Sequence, residues 1–389
     1  MKKNLIYFFV FIAASIFYFW HYRPIHIHPE RDGYTMGDFQ IHWYGAEKIT
    51  QLQNPYAFQN YQEFRDTYSN APVFAYAISL LMNPKKGFEF AIKRWEHMHY
   101  VFVILIFVLL YFILKKNYPM FCSRKIFYLI PLLFTLKFFN RTLHNGQIDI
   151  FILLLFLGVL FLFLHRQKFL SGVVLGIALL IKTHMILYFC IYFLYKREFK
   201  FILGIILSFV ALSFLPGLTY GFDQALIWIQ QWISFLVIRS RHDTLFLNEE
   251  QSIVGLFEYV QNLIYPYIPV LHYISMALGL VYLFIFDKKL SVKLSNTESF
   301  FIGFSLCTLA SLIFQMHVLK GYFLFQFIPI FVWLMYFYQG DIHFFKSPKI
   351  RYGFIALCLF TLINIPHGLF LSSVALSFLY LQLRFSRVV

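Results

Sequence analysis

Long apolar runs separated by short polar connections make up most of this 389-residue chain. Twelve runs are long enough, or nearly so, to cross a hydrocarbon layer about 30 Å thick. Backbone groups inside a bilayer cannot bond to water, so such runs form helices or a closed barrel. The alternating pattern of barrel strands does not occur. The sequence therefore predicts an all-α polytopic bundle of about 12 transmembrane helices, near residues 5–20, 98–114, 126–139, 148–164, 169–181, 183–194, 201–216, 264–286, 300–314, 322–338, 352–365 and 369–383.

The composition fits this class, since 60% of residues are hydrophobic and only 13% are charged. Soluble domains carry roughly 25% charged residues. No linker sets off a soluble module, so residues 1–389 are predicted to form a single membrane domain. The four cysteines show no metal-ligand spacing and none lies in a long polar loop. Neither a metal nor a cofactor is expected.

Charge is distributed unevenly between alternate connections. One set of connections holds 19 of the 33 Lys and Arg residues but only four of the 18 acids. Short connections rich in Lys and Arg stay cytoplasmic. The chain is therefore predicted to lie in the cell's inner (plasma) membrane, with both termini cytoplasmic and the long loops 21–97 and 217–260 on the outer side. The net charge of +15 thus indicates orientation and contact with anionic membrane lipids, and it does not predict a nucleic-acid partner.

The first span has the charge order of a secretory signal, with Lys2 and Lys3 before an apolar run. Its aromatic continuation at 17–20 makes a poor cleavage site and a good interfacial belt. An uncleaved first helix is therefore predicted.

Two segments of the outer loops have amphipathic helical patterns. Apolar side chains recur at helical spacing in 39–53 and in 222–238: Trp43, Ala46, Ile49 and Leu52, then Trp228, Trp232 and Phe235. Both segments are predicted to lie at the outer interface. Several spans between 126 and 194 are short, which favours a water-filled cavity beneath these helices.

Ionisable side chains concentrate where the predicted spans reach the outer face. Asp38 follows the first span, and cations lie in short outer connections: Lys137, Arg141, His144, Lys182, His317 and Lys320. Such cations either extend individually to water and lipid phosphate or converge on one anionic group such as a phosphate. Asp38 is either a helix cap or a general base at the membrane surface. The residues alone leave both choices open.

Three stretches resemble glycosyltransferase family 87, and they occur in that family's order. They are 38–46 (DFQIHWYGA), followed by 54–56 and by the region from Pro72 to Pro84, then 145–149 (NGQID), and 172–182 (GVVLGIALLIK). Similarity is looser from 251 to 329. This family has a type C fold, uses polyprenyl-phosphate sugars, and includes mannosyltransferases that build phosphatidylinositol mannosides.

The resemblance implies a membrane glycosyltransferase of cell-envelope biogenesis. A hexose or pentose would pass from a polyprenyl-phosphate donor to a hydroxyl of a lipid or glycan acceptor on the extracytoplasmic face. Asp38 corresponds to the family's catalytic base and His317 to a second catalytic residue. Residues expected to bind the donor phosphate or substrate are Lys182, Lys320, Arg141, His144, Gln147, Asp149 and Tyr44. Asp149 departs from the family, which has an Asn-like residue there, and 183–184 (TH) replace a Pro-containing exit.

Two other classes of protein compete with this interpretation. A secondary transporter or lipid flippase would have ionisable residues near the bilayer midplane and broken helices in repeated positions. A scaffold protein would have no use for so many cations at helix ends. Charges that cluster at one face of the bundle favour interfacial chemistry and therefore the transferase.

Overall fold

The helical architecture is described by a computed structural model for residues 37–57, 68–117, 119, 122–242, 268–290, 296–314, 320–339, 348–362 and 368–385. Within these ranges the chain forms helices and turns without any strand, which confirms the all-α prediction. The first predicted span, 5–20, lies outside the described residues.

Fifteen α-helices occupy the described ranges. They are α1 (Gly37–Thr50), α2 (Pro72–Met82), α3 (Phe88–Asn117), α4 (Ile126–Asn145), α5 (Asp149–Leu164), α6 (Lys168–Ile181), α7 (Ile186–Tyr195), α8 (Phe199–Ser213), α9 (Gly217–Tyr220), α10 (Phe222–His242), α11 (Ile268–Leu290), α12 (Asn296–Phe314), α13 (Phe327–Gln339), α14 (Pro348–Leu362) and α15 (Gly368–Phe385). Three 3-10 helices accompany them: Pro84–Lys86, Thr183–Met185 and Lys320–Gln326.

The predicted spans from 98–114 onward fall on these helices. Among the described residues, four helical stretches are long and apolar enough to cross a membrane: Phe88–Asn117, Ile126–Asn145, Phe199–Tyr220 and Asn296–Phe314. Several others are apolar but shorter, including α5 and α6. The described part of the chain is thus that of a helical membrane protein, and the total of about 12 spans stays a prediction.

The first long loop contains more helix than the pattern predicts. α2 begins with Pro72, which suits the first helical position because its missing N–H needs no partner there. α3 begins at Phe88, ahead of the span predicted from 98, so the last part of the predicted outer loop is helical. Ala91, Ile92 and Trp95 lie at helical spacing and are buried. Their packing stabilises the helix in a stretch whose sequence is too polar to predict a membrane span.

α1 forms where the amphipathic pattern predicts a helix. Its residues Trp43, Ala46 and Ile49 are buried as expected. The pattern predicts Leu52 on the same face, but the helix ends at Thr50 and Leu52 is exposed in a left-handed backbone conformation (φ 59°). The packed face of α1 is therefore shorter than its sequence pattern.

α10 also forms as predicted, and its apolar face packs on protein. Trp228, Trp232 and Phe235 are buried. The Trp228 indole donates to the carbonyl of Gln53 (3.0 Å) and the Trp232 indole to that of Ser69 (3.1 Å). α10 thus holds the segment that follows α1.

α6 and α8 pack closely because glycines line their contact. A Cβ on Gly172 would lie 2.0 Å from the carbonyl oxygen of Phe201, and one on Gly204 would lie 2.2 Å from that of Phe169. Backbone atoms cannot shift readily to make room. This contact fixes the position of α6, and therefore of Lys182, which caps its C-terminus.

We expect Gly172→Ala to destabilise the protein by about 1–3 kcal/mol, the usual cost of overpacking a tight contact. The thermal unfolding midpoint in detergent measures this effect. Gly158→Ala is the matched control, since its added Cβ meets only Val174 Cγ1 at 3.6 Å. Equal midpoints for the two variants would show that α6 and α8 separate at little cost.

Candidate active site

A tight turn between α4 and α5 carries several of the candidate site residues. Gly146 ends α4 with φ 69°, the left-handed conformation that glycine adopts without strain. The N–H of Gln147 then bonds to the carbonyl of Thr142 (2.9 Å). α5 begins at Asp149, whose negative charge is favourable at a helix N-terminus. Gln147 therefore lies within the turn, and Asp149 lies directly after it at the start of α5.

Asp38 meets this turn from α1. The Gln147 side chain bonds to the Asp38 carboxylate, and the charges of Lys182, Asp149 and Arg141 act on it. Burial raises the pKa of Asp38 above its ordinary value of 3.8, while the Gln147 hydrogen bond and the Lys182 charge oppose that shift. A carboxyl with a raised pKa is a better proton acceptor than an exposed one.

Lys182 is paired with Asp149. Its Nζ lies 3.1 Å from Asp149 Oδ1, and the carboxylate is wholly buried. The Lys182 ammonium also lies 3.6 Å from the centre of the Tyr322 ring, a cation–π contact with the 3-10 helix of 320–326. The Lys182 side chain is 15% exposed, so a ligand can still reach it.

His42 lies one helical turn after Asp38, a spacing that puts both on one face of α1. Its ring is buried, packs edge-on against Phe74 (5.1 Å) and has Nδ1 3.5 Å from the Asn70 amide. Burial, with the nearby charges of Lys182 and His99, lowers the pKa of His42 to about 3. The ring is therefore neutral at physiological pH.

Other predicted residues do not join this cluster. Tyr44 is half exposed on α1, where its hydroxyl accepts a hydrogen bond from Gln40 (3.0 Å). His144 is exposed at the end of α4. Lys137 donates to the carbonyl of Thr361 in α14, so it does not converge with the other cations as predicted.

Two further candidates are placed only in part. His317 lies outside the described residues. Lys320 begins the 3-10 helix Lys320–Gln326, two residues before Tyr322, but its side chain is outside the described part. The contact of Tyr322 with Lys182 nevertheless brings this helix to the site.

The cluster contains two carboxylates, Asp38 and Asp149, and two cations, Lys182 and Arg141. Within the described part of the chain, no group of three His, Cys, Asp or Glu side chains is placed to hold a metal ion. One carboxyl with a raised pKa beside two cations can accept a proton and stabilise a neighbouring anion.

Sequence patterns did not single out His42, His99, Trp95 or Tyr322 as parts of this site. His42 carries a usable signal, because it lies four residues after Asp38 on a helix. The other three are brought in by the packing of α3 and of the 3-10 helix, which no local pattern reveals.

The helices and this cluster of charged side chains can be compared with known families of membrane proteins. The model of glycosyltransferase family 87 matches residues 72–315, more than half of the chain. The chain therefore belongs to glycosyltransferase family 87, as its motifs predict. The match includes Arg141, Gln147, Asp149 and Lys182, whereas Asp38 precedes it. Comparisons with curated proteins and with solved structures found no match.

Proposed function

We propose that this protein transfers a sugar from a polyprenyl-phosphate donor to a hydroxyl of a lipid or glycan on the extracytoplasmic face of the membrane. The observation that carries the proposal is the meeting of Asp38, whose pKa is raised by burial, with the cations Lys182 and Arg141. This arrangement offers a base and an anion site together in a member of a glycosyltransferase family.

The reaction is a single displacement at the anomeric carbon. The acceptor hydroxyl attacks and its proton passes to Asp38. A bond forms from the acceptor oxygen to the anomeric carbon as the bond to the donor phosphate oxygen breaks. The phosphate leaves with that electron pair, and Lys182 and Arg141 stabilise its charge. One displacement inverts the anomeric configuration.

Two ion pairs support placing this chemistry on one face of the bundle. Lys168 pairs with Glu198 (2.8 Å) at the start of α6, and Lys196 pairs with Asp287 (2.8 Å) after α7. Lys182 lies between these helices, at the opposite end of each. Lys182, in a connection predicted outside, therefore belongs to the Asp38 cluster at one end of α6 and α7. The two ion pairs, in connections predicted inside, lie at the other end of these helices.

Product analysis in proteoliposomes tests the proposal. The purified protein receives polyprenyl phosphate carrying a labelled sugar, together with extracted membrane lipids or glycans as acceptors. We expect labelled product and free polyprenyl monophosphate in equal amounts. Label that crosses the vesicle on intact donor would identify a flippase, and transfer from a nucleotide sugar alone would exclude the proposed donor.

The pH dependence of kcat/KM is expected to have an acid limb above pH 3.8, because Asp38 must be ionised to accept a proton and burial raises its pKa. Asp38→Glu should retain some transfer with a displaced limb. Initial rates at saturating acceptor between about pH 4 and 9 give the profile.

His42→Gln is the control for this profile. The pKa of His42 is about 3, so the ring does not titrate on the measured limb, and the limb should remain. Its disappearance in His42→Gln would assign the limb to the histidine.

A further inference from the structure

Two aromatic side chains of α3 hold the turn between α4 and α5. The Trp95 indole N–H donates to the carbonyl of Gly146 (2.9 Å), and His99 Nε2 lies 2.8 Å from the carbonyl of Gln147. Both rings are only 1% exposed. Each bond joins residues about 50 positions apart, so the contact is tertiary and not a local turn.

These carbonyls need such donors because of where they lie. Gly146 and Gln147 come after the last turn of α4 and before the first turn of α5, where carbonyls lack the regular helical partners. A buried carbonyl without a donor is costly, so the Trp95 indole N–H stabilises this conformation of the turn. The two ring nitrogens of His99 face the carbonyls of Trp95 (Nδ1, 2.9 Å) and Gln147 (Nε2, 2.8 Å), and the ring donates to Gln147 when Nε2 carries a proton.

The same tryptophan also contacts the helix of Asp38. Trp95 stacks on Phe39, with ring centres 5.1 Å apart. The Gln147 side chain in turn bonds to the Asp38 carboxylate. α3 therefore contacts Phe39, the residue next to Asp38, through a ring face, and it contacts the turn that carries Gln147 through the backbone carbonyls.

We infer that Trp95 and His99 are positioning residues, which hold the turn at Gly146 and Gln147 so that the Gln147 amide meets the Asp38 carboxylate. The inference rests on the proposed role of Asp38 as the base. Neither ring needs to touch the sugar. Their effect is transmitted through the Gln147 amide, which favours the ionised carboxylate over the protonated one.

The consequence for activity has a defined sign. If the turn is released, the ionised form of Asp38 loses a hydrogen bond and its pKa rises further. Trp95→Phe and Gln147→Leu leave the other charged or titratable groups around Asp38 unchanged: Arg141 on α4, Asp149 on α5, Lys182 after α6, His99 on α3, and neutral His42 on α1 itself. A displaced acid limb in these variants therefore reports on Gln147.

The test compares pH profiles of four variants. Trp95→Phe keeps the ring stack but loses the N–H, and His99→Leu loses both ring nitrogens, including the Nε2 that faces the Gln147 carbonyl. We expect each to move the acid limb of kcat/KM upward by about one pH unit, roughly a tenfold loss on that limb, with the KM for donor little changed. His99→Gln, whose amide can replace Nε2–H, should restore most of the wild-type limb. Gln147→Leu should show the same displacement as Trp95→Phe.

Trp228→Phe is the matched control. It removes the same kind of indole-to-carbonyl bond, at Gln53, away from the turn. If Trp95 and His99 have only a structural role, all of these variants should lower the unfolding midpoint and none should move the acid limb of kcat/KM. That result would overturn the inference. Combining Trp95→Phe with Gln147→Leu should add no further displacement, since both act on one hydrogen bond.

A titration without turnover separates this inference from the proposed function. The Asp38 carboxyl carbon, labelled with carbon-13 and assigned by its loss in Asp38→Asn, reports its own ionisation. If the wild-type protein forms no product, the proposed function fails. An upward displacement of this titration in Trp95→Phe would still support the positioning role, and an unchanged titration would refute it.

Discussion

Asp38→Asn is expected to lower the rate of sugar transfer by about 10²–10⁴-fold, the usual contribution of a positioned general base. An amide has nearly the shape of a carboxyl but cannot take the acceptor's proton. Donor affinity should change little, because the proposed anion site consists of Lys182 and Arg141. Single-turnover rates and donor binding, measured on the same protein, separate the two effects.

Asp223→Asn is the matched control, since Asp223 is exposed in the first turn of α10. This variant should transfer sugar at the wild-type rate. A wild-type rate for Asp38→Asn, with the unfolding midpoint preserved, would contradict the assignment of the base.

Lys182→Met is expected to have the largest effect on stability. It leaves the Asp149 carboxylate wholly buried without its cation, a loss of about 3–5 kcal/mol for a broken buried pair. Adding Asp149→Asn removes the unpaired charge, so the double variant should recover most of the lost stability. Transfer should stay low in the double variant, because no ammonium then faces the departing phosphate. Thermal unfolding and transfer assays on all three variants make the comparison.

The second buried ion pair supplies the control for this cycle. Lys196 bonds to Asp287 at the opposite end of α7, where the Tyr192 hydroxyl also donates to that carboxylate (2.6 Å). Lys196→Met should likewise destabilise, and Asp287→Asn added to it should restore both stability and transfer. If the Lys182 double variant also regains transfer, Lys182 serves only the fold.

Helix positions follow directly from the sequence. The spans from 126–139 to 201–216 lie on α4 to α8 because an apolar segment in a bilayer must satisfy its own backbone groups, which a helix does locally. The apolar stripes of α1 and α10 were likewise recognisable from their spacing. Leu52 was misplaced because a helix end depends on backbone geometry, which a repeat of apolar residues does not encode.

The candidate site was foreseen only as a set of residues. Asp38, Gln147 and Lys182 were identified by motifs, and the structure brings them together around one turn. The sequence predicts Lys137 in the same group because it lies at similar depth, yet Lys137 bonds to the carbonyl of Thr361. Depth along a helix is readable from sequence, but the direction in which a side chain meets its neighbours is not.

By itself, the sequence determined that the chain lies in a membrane, where its helices are, and to which family it belongs. Hydrophobic periodicity and short motifs are local properties of the chain, so they can be read without the fold. The tertiary structure decided that Asp149 neutralises Lys182 and that α3 secures the turn carrying Gln147. It also decided that the predicted interfacial helix α10 packs on the segment following α1. Such contacts join residues far apart in the chain and depend on how closely the helices pack. The glycines between α6 and α8 are an example, because they let two helix backbones approach each other.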